Sequence, residues 1–544
     1  MPIQSLSKNT SLNTLFFAGI TMLISACGNS SAVDSGTVVP TPPPGGGTVV
    51  STGCDETMDD ALFASAAELR NLQATVVGFG LRSPGSEADE NGIAWMKSRF
   101  QAMPGMQVRS EFFDFTRWQP TPGAPNGPGR SLELAGSLKV TPTGGSADTV
   151  PIAGGVPFAQ PTGPEGRSGA LVHIPAGTAI TAANSGGKVV IRDFPAAGLP
   201  YAAFSVLSYY LTPDILPLLT GNYDRPYLAA QHEEMIAAGQ AGAAGLVWVF
   251  NVPRAQIAAY WDPHNGTQYV LPSVYVGVDE GEQLKALALS GATAAVATFA
   301  ERDPGKVHNL FATLPGMSAE RIVLNTNSDG NTWVQENSGA GLLALADYLS
   351  RRPIECRPRT IEFAITGNHL GFSRDGNGFY AEQLDQGFDE GTVAFAFSIE
   401  HLGTREILPV ARTDGPGETL EYTGLGEPTA WFAGESPALS TATVQAVQRR
   451  GLDRTAVLRG QDLPNPARVP MHCSFGGIGG FFQSRLIPTI AIISGPWSLW
   501  APSFGEGAVD FDRMRQQLLA AGDIVLSLDG QSRELIAGTY LVER

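Results

Sequence analysis

The stretch VLNTNSDG, residues 323–330, places a cluster of small polar side chains directly after an apolar run that predicts a strand. Strand ends that open into such a cluster are where α/β enzymes usually hold their catalytic and binding residues. The cluster offers oxygen atoms from Asn327, Ser328 and Asp329, but it contains no histidine. The missing imidazole limits the chemistry available at this edge, because an amide oxygen is a poor ligand for zinc.

Alternating strands and helices are predicted on the C-terminal side of this cluster. Three strongly apolar runs are typical of buried sheet strands: Thr360 to Thr366, Thr392 to Glu400 and Pro488 to Ser494. A helix is predicted over residues 340–350, and the last helix carries an apolar stripe at helical spacing: Met514, Leu518, Ala521 and Val525. Strands and helices in alternation predict a three-layer α/β/α domain.

Residues 131–300 have a different texture, with short strands separated by Gly and Pro. Strands are predicted over residues 188–194, 246–250 and 271–277 from their β-branched and aromatic content. This region predicts a β-rich module inserted into a larger domain, which would then consist of residues 56–130 and 301–544.

The length and the charge of the chain narrow the possible functions. A chain of 544 residues exceeds what one hydrophobic core usually holds, so at least two domains are expected. The formal net charge of −17 argues against nucleic acid and against anionic membrane surfaces as partners, because both select for basic patches.

The first 27 residues predict a signal peptide. Lys8 precedes an apolar run from Leu12 to Ile24, which is shorter than the roughly 20 residues needed to span a bilayer. Small residues directly before Cys27 resemble a bacterial lipobox, in which the cysteine is lipidated; an ordinary cleaved signal is the alternative. Residues 28–55, rich in Pro, Gly, Ser and Thr, predict a disordered tether. We therefore expect an exported protein anchored by lipid to the cell envelope.

Three cysteines follow Cys27 in the sequence: Cys54, Cys356 and Cys473. In an oxidising envelope compartment two of them are expected to pair. The pair Cys54 and Cys356 is favoured because both lie beside helices in loop-like sequence, although the pairing stays open. Cys473 is then either a reactive thiol or a small residue packed in a loop.

The order of these parts resembles the zinc aminopeptidase family that includes aminopeptidase S, glutamate carboxypeptidase and the transferrin receptor. Three stretches carry the resemblance: RSPGS at residues 82–86, AGAAGLVWVF with LPSVYVG at 241–250 and 271–277, and NLFATLPG at 309–316. The resemblance implies an α/β/α peptidase-like domain with a mixed sheet and an inserted protease-associated domain. It also implies a site with two zinc ions that share a water, which lowers the pKa of that water.

The family's first metal ligand is a histidine in an HxD motif, and this chain has Asn327 and Asp329 at the two positions. The bridging carboxylate falls on Glu336. Where the family has a Glu-Glu pair, this chain has Asn368 and His369, and Asn368 cannot act as the general base.

A later acidic ligand of the family is retained as Glu400, whereas its final histidine corresponds to Leu499 or Trp500. Glu336, His369 and Glu400 thus remain as plausible ligands, enough for one zinc ion. The alternative is a polar pocket without metal. His472 is a further candidate ligand or base, and His401 is expected to face away because it adjoins Glu400 on a strand.

Two functional hypotheses follow from the residues that the family motifs retain and lose. The first is a non-catalytic homologue that binds a peptide or protein ligand, or serves as a scaffold, in the envelope. The second is an active exopeptidase or hydrolase with a rearranged single-metal site. In a third reading the inserted module binds the ligand and the α/β/α domain is a frame.

Overall fold

The fold is described from a computed structural model that covers residues 54–121, 130–194, 197–225, 229–262, 267–335, 337–372, 376–460 and 477–544. The predicted signal peptide with Cys27 and nearly all of the tether lie outside these residues. Glu336, His472 and Cys473 lie outside them too, so the predictions for these three residues stay predictions. Among the helices in the described ranges, none combines the length and the apolar character needed to cross a bilayer.

A nine-stranded mixed sheet forms the centre of the larger unit. Numbered along the chain, its strands are β1 (Gln107–Pro120), β8 (Ser208–Leu211), β13 (Ala300–Leu314), β14 (Arg321–Asn327), β15 (Thr360–Thr366), β16 (Val393–Ile399), β19 (Thr429–Ala433), β20 (Thr455–Arg459) and β21 (Thr489–Ile493). Their order is β1-β13-β15-β14-β16-β21-β19-β20-β8. The central strands β15, β14, β16 and β21 are parallel, so their carboxyl ends meet at one edge of the sheet.

Helices cover both faces of this sheet. Side chains alternate between the two faces along each strand, so apolar side chains on both faces need a covering layer. One face packs against the helices Ala66–Gly78, Glu87–Gln101, Ser338–Ser350, Pro437–Arg449 and Phe511–Asp529. The other face packs against Asn377–Asp389, Gly479–Gln483 and Arg533–Ala537. The short helices His369–Phe372 and Tyr540–Glu543 complete this unit. The predicted three-layer α/β/α class with a mixed sheet is confirmed.

A second sheet, of eight strands, lies within residues 136–298. Its strands are β2 (Gly136–Thr141), β3 (Asp148–Val150), β4 (Gly154–Gly155), β5 (Arg167–His173), β6 (Val189–Asp193), β10 (Gly245–Val249), β11 (Ser273–Val276) and β12 (Thr293–Thr298). The helices of this region are Ala182–Ser185, Ala202–Leu207, Ala229–Gln240 and Val278–Leu289. The three strands predicted here from composition are present as β6, β10 and β11.

Two pairs of antiparallel strands lie outside these two sheets. Strands β7 (Ala197–Pro200) and β9 (Asn222–Arg225) pair with each other, and β8 between them extends the nine-stranded sheet by pairing with β20. Strands β17 (Arg405–Ala411) and β18 (Glu418–Gly426) form a hairpin. Residues of the predicted insert thus contribute to the large sheet. The domain boundaries and the protease-associated identity of the insert stay predictions.

The disulfide between Cys54 and Cys356 confirms the favoured pairing. The two Cα atoms lie 5.4 Å apart, although the residues are 302 positions apart in sequence. The bond fastens the beginning of the described chain to the loop that precedes β15.

Candidate functional site

Asp329 lies just beyond the end of β14 and holds the loop that follows β15. Its carboxylate accepts hydrogen bonds from the backbone N–H groups of His369 (2.9 Å) and Leu370 (2.6 Å). Burial raises the pKa of Asp329 to about 6, against the lowering effect of these hydrogen bonds. Asp329 thus supports the neighbouring loop, and both of its oxygens are engaged in doing so.

Asn327, at the position of the family's histidine ligand, is part of a hydrogen-bonded group of buried amides and a hydroxyl. Its Oδ1 accepts a hydrogen bond of 2.9 Å from Nδ2 of Asn377. The Thr366 hydroxyl donates to Oδ1 of Asn377 at 2.7 Å and also lies 3.4 Å from Oδ1 of Asn327. All three side chains are buried. The carboxamide of Asn327 therefore serves as a structural link between β14, β15 and the helix Asn377–Asp389.

Asn368, which the resemblance aligns with a general base, has a left-handed backbone with φ of +65°. Asparagine tolerates this conformation better than most residues do. The following residue, His369, begins the short helix, and burial together with the proximity of His401 lowers its pKa to about 3. Asn368 therefore supplies an amide where a peptidase needs a carboxylate, and His369 supplies a neutral imidazole.

Glu400 follows the last residue of β16 and is buried. Its Oε1 accepts a hydrogen bond of 2.9 Å from the N–H of Ile478. Burial raises the pKa of Glu400 to about 7. Gly477 has a left-handed backbone with φ of +55°, and a Cβ there would lie 1.9 Å from Oε1 of Glu400, so only glycine fits.

His401 lies near His369, and the strand alternation behind the expectation that it faces away does not apply to it. Strand alternation fails here because His401 has φ of +56°, beyond the end of β16. The ring centroids of His401 and His369 each lie 6.4 Å from that of Trp500. The carbonyl of Ser494 accepts a 2.6 Å hydrogen bond from Nδ1 of His401, which fixes the tautomer. Burial lowers the pKa of His401 to about 4.

Two further groups position these residues and were missed in the sequence. The carboxamide of Asn337 brackets the backbone of Leu402, accepting from its N–H at 2.9 Å and donating to its carbonyl at 2.6 Å. Asp89, in the first turn of the helix Glu87–Gln101, is buried beside Asp329, and burial and that neighbour raise its pKa well above its usual range. The only sequence signal was RSPGS, which places this helix after a tight turn.

The insert closes over this edge of the sheet through Trp261. The backbone N–H of Trp261 donates to the carbonyl of Trp500 at 2.9 Å. Its indole N–H donates to the carbonyl of Leu370 at 3.3 Å. Asn331, two residues after Asp329, donates to the carbonyl of Ala259 at 2.8 Å. These bonds hold the insert against the loop that carries His369, and His369 itself is partly exposed.

The donors present do not fit a two-zinc centre. Within the part of the chain that the structure describes, no three His, Cys, Asp or Glu side chains are grouped so that they could hold a metal ion. Asn327 and Asp329 are engaged in hydrogen bonds, and Trp500 and Leu499 offer no ligand atom. Of the candidate single-metal set, His369 and Glu400 lie at this edge, whereas Glu336 falls outside the described residues.

The chain has a zinc aminopeptidase-like fold. Three solved structures are similar over most of their length. They are a peptidase M28 precursor from Shewanella amazonensis SB2B (12% identity, 87% of this chain and 94% of that chain, TM-score 0.57), the zinc aminopeptidase BSAP from Bacillus subtilis (14%, 85% and 94%, 0.54) and an aminopeptidase from Aneurinibacillus sp. strain AM-1 (15%, 85% and 93%, 0.51). No family model matches the sequence, and no curated protein matches it either. At such low identity the likeness establishes the fold and leaves the activity to the residues of the site.

Proposed function

We propose that this protein is a non-catalytic homologue of the zinc aminopeptidases that binds a peptide or protein ligand at the cell envelope. The observation that carries the proposal is the hydrogen-bonded amide of Asn327. It stands where the resemblance places a histidine ligand, and Asn377 donates to its oxygen. A carboxamide oxygen already bound in this way is a poor donor to zinc.

The position of the general base supports the same conclusion. Asn368 cannot accept a proton from a water molecule, and a positioned base typically contributes about 10²–10⁴ in rate. Trp261 of the insert also donates to the carbonyls of Leu370 and Trp500, and His369 between them is only partly exposed. Loss of the base and this partial cover act in the same direction.

The rival proposal is a hydrolase with one metal ion, held by Glu336, His369 and Glu400, with His472 as base. One observation favours it: His369 is held in its neutral form, with a pKa of about 3, and neutral imidazole is the form that binds zinc. Glu400, whose pKa is about 7, would have to lose its proton to join such a site.

Elemental analysis and a hydrolysis assay on the same preparation separate the two proposals. The full chain is incubated with zinc, dialysed and tested against aminoacyl p-nitroanilides. The non-catalytic proposal predicts no stoichiometric zinc and no hydrolysis above that in buffer. The rival predicts about one zinc per chain, as for a site with three protein ligands, lost in His369→Ala. His173→Ala is the matched control, because His173 lies in the insert and forms a hydrogen bond with Asp193.

We further propose that the protein is exported and held in the cell envelope by a lipid on Cys27. The support is the position of the cysteine directly after an apolar run and small residues. The tether of residues 28–55 would let the folded part stand away from the membrane.

A further inference from the structure

A cleft of about 500 Å³ lies beside the candidate site, between the insert and the loops of the large sheet. The insert contributes residues from two segments, 131–133 and 254–259, and the large unit contributes Leu81, Arg130, Asn331, Pro502 and Ser503. A volume of this size is within the range of ligand pockets in proteins, roughly 300–1,000 Å³. The cleft can therefore receive a few residues of a peptide.

Hydrogen bonds across the two units fix the walls of the cleft. Asn331 of the large unit donates to the carbonyl of Ala259 in the insert at 2.8 Å. The hydroxyl of Ser503 donates to the carbonyl of Gln256 in the insert at 2.8 Å. Because both walls are fastened to each other, the cleft is formed before a ligand arrives, which lowers the entropic cost of binding.

Two arginines supply the cationic groups of the cleft. The charged residues that line it are Arg130, Arg254 and Glu133, and each arginine is paired with a glutamate behind the lining. Arg254 donates its Nε to Glu280 at 3.0 Å, and Arg130 donates one amino group to Glu301 at 2.9 Å. A guanidinium has five N–H donors, so each arginine is oriented by its glutamate and retains capacity for another acceptor.

We propose that this cleft binds the carboxylate of a peptide ligand, with Arg130 and Arg254 as the groups that recognise it. Arginine pairs with carboxylates through parallel hydrogen bonds, which gives both strength and orientation. The apolar lining from Leu81, Leu132 and Pro502 would pack against the rest of the peptide. The inference rests on the proposed function and adds to it a place and a chemical class of ligand. His369 does not line the cleft.

Three tripeptides test the proposal by calorimetry on the full chain: acetyl-Ala-Ala-Ala with a free carboxyl end, acetyl-Ala-Glu-Ala-amide, and acetyl-Ala-Gln-Ala-amide. The first two carry the carboxylate at the chain end and on a side chain, and the third carries none. Hydrogen bonds to charged groups contribute more than neutral ones. We expect at least one acidic peptide to bind about tenfold more tightly than the neutral one, which is roughly 1.4 kcal/mol.

The variants assign the effect to the cleft. Arg254→Gln and Arg130→Gln should each weaken binding of the acidic peptide about three- to tenfold. Arg254→Lys should weaken it less than Arg254→Gln, because lysine keeps the charge but lacks the paired N–H donors. Glu133→Gln should strengthen binding, since it removes the one acidic side chain of the lining. Arg167→Gln is the control, because Arg167 is an exposed insert arginine that does not line the cleft. Thermal unfolding of each variant checks that it is folded.

The outcomes separate this inference from the proposed function. Equal affinity for acidic and neutral peptides, no binding of any of them, or no effect of the arginine variants would overturn the carboxylate proposal and leave the non-catalytic reading in place. Cleavage of a peptide during the titration would overturn the non-catalytic reading, and the arginine variants would still decide whether the cleft recognises carboxylates.

Discussion

Replacing Asn327 by histidine introduces the residue that the resemblance implies at a first metal position, and we expect it to destabilise the protein without creating a zinc site. The substitution removes the acceptor of the 2.9 Å hydrogen bond from Asn377, whose side chain is buried. A buried donor left without a partner costs about 1–3 kcal/mol. The larger ring must also fit beside Thr366 in a fully packed layer, which adds to the cost.

The assay is urea unfolding of the wild type, Asn327→His and Asn327→Ala, each with and without zinc. Asn327→Ala removes the same hydrogen bond without adding a ligand, so it measures the loss of the bond alone. Both variants should lose about 1–3 kcal/mol of unfolding free energy, and zinc should change neither. A ligand that binds the folded state at 100 times its Kd would add about 2.7 kcal/mol. A zinc-dependent rise of that size in Asn327→His but not in Asn327→Ala would refute the reasoning.

Three further predictions concern pH, the disulfide and the lipid. Burial raises the pKa of Glu400 from 4.5 to about 7. Its neutral carboxyl group therefore stabilises the folded state fully below pH 4.5, and this contribution of roughly 3 kcal/mol is lost as the pH rises through 7. Glu400→Gln keeps the acceptor for Ile478 and should remove this pH dependence of the unfolding free energy. The same pH dependence in the variant and the wild type would contradict the prediction. Cys356→Ser should lower the unfolding free energy by about 2–5 kcal/mol, as reductant should in the wild type; an unchanged midpoint would argue against a stabilising role for the bond to Cys54. Cys27→Ser should abolish palmitate labelling and membrane fractionation, whereas an ordinary cleaved signal predicts no label in either protein.

The buried strands of the large sheet were predictable because both of their faces are covered. Residues 360–366 form β15 as expected, and the predicted strand ending at Glu400 is β16 with its last residue at Ile399. Continuous apolar runs of this length have few alternative folds. The disulfide was predicted from the expected compartment and from the loop-like sequence around Cys54 and Cys356, and the α/β/α class from the alternation of elements.

The hydrogen bonds within the site could not be predicted from the sequence, because they join segments that are distant along the chain. Asn377 lies 50 residues after Asn327, and its carboxamide gives no sign of its partner. Trp261 lies in the insert, 109 residues before the carbonyl of Leu370 that it contacts. Strand alternation does not apply to His401, because alternation assumes extended backbone and its φ is +56°. Patterns in neighbouring residues therefore predict helices and strands well, but they predict polar contacts between distant segments poorly.

The most direct test of the central claim is a crystal of the protein grown with zinc and measured at the zinc absorption edge. The account predicts no anomalous peak among Asn327, Asp329, His369 and Glu400, because the first two are engaged in protein hydrogen bonds. Two fully occupied zinc ions about 3.5–4 Å apart at this edge of the sheet, as in two-metal hydrolases, would contradict it.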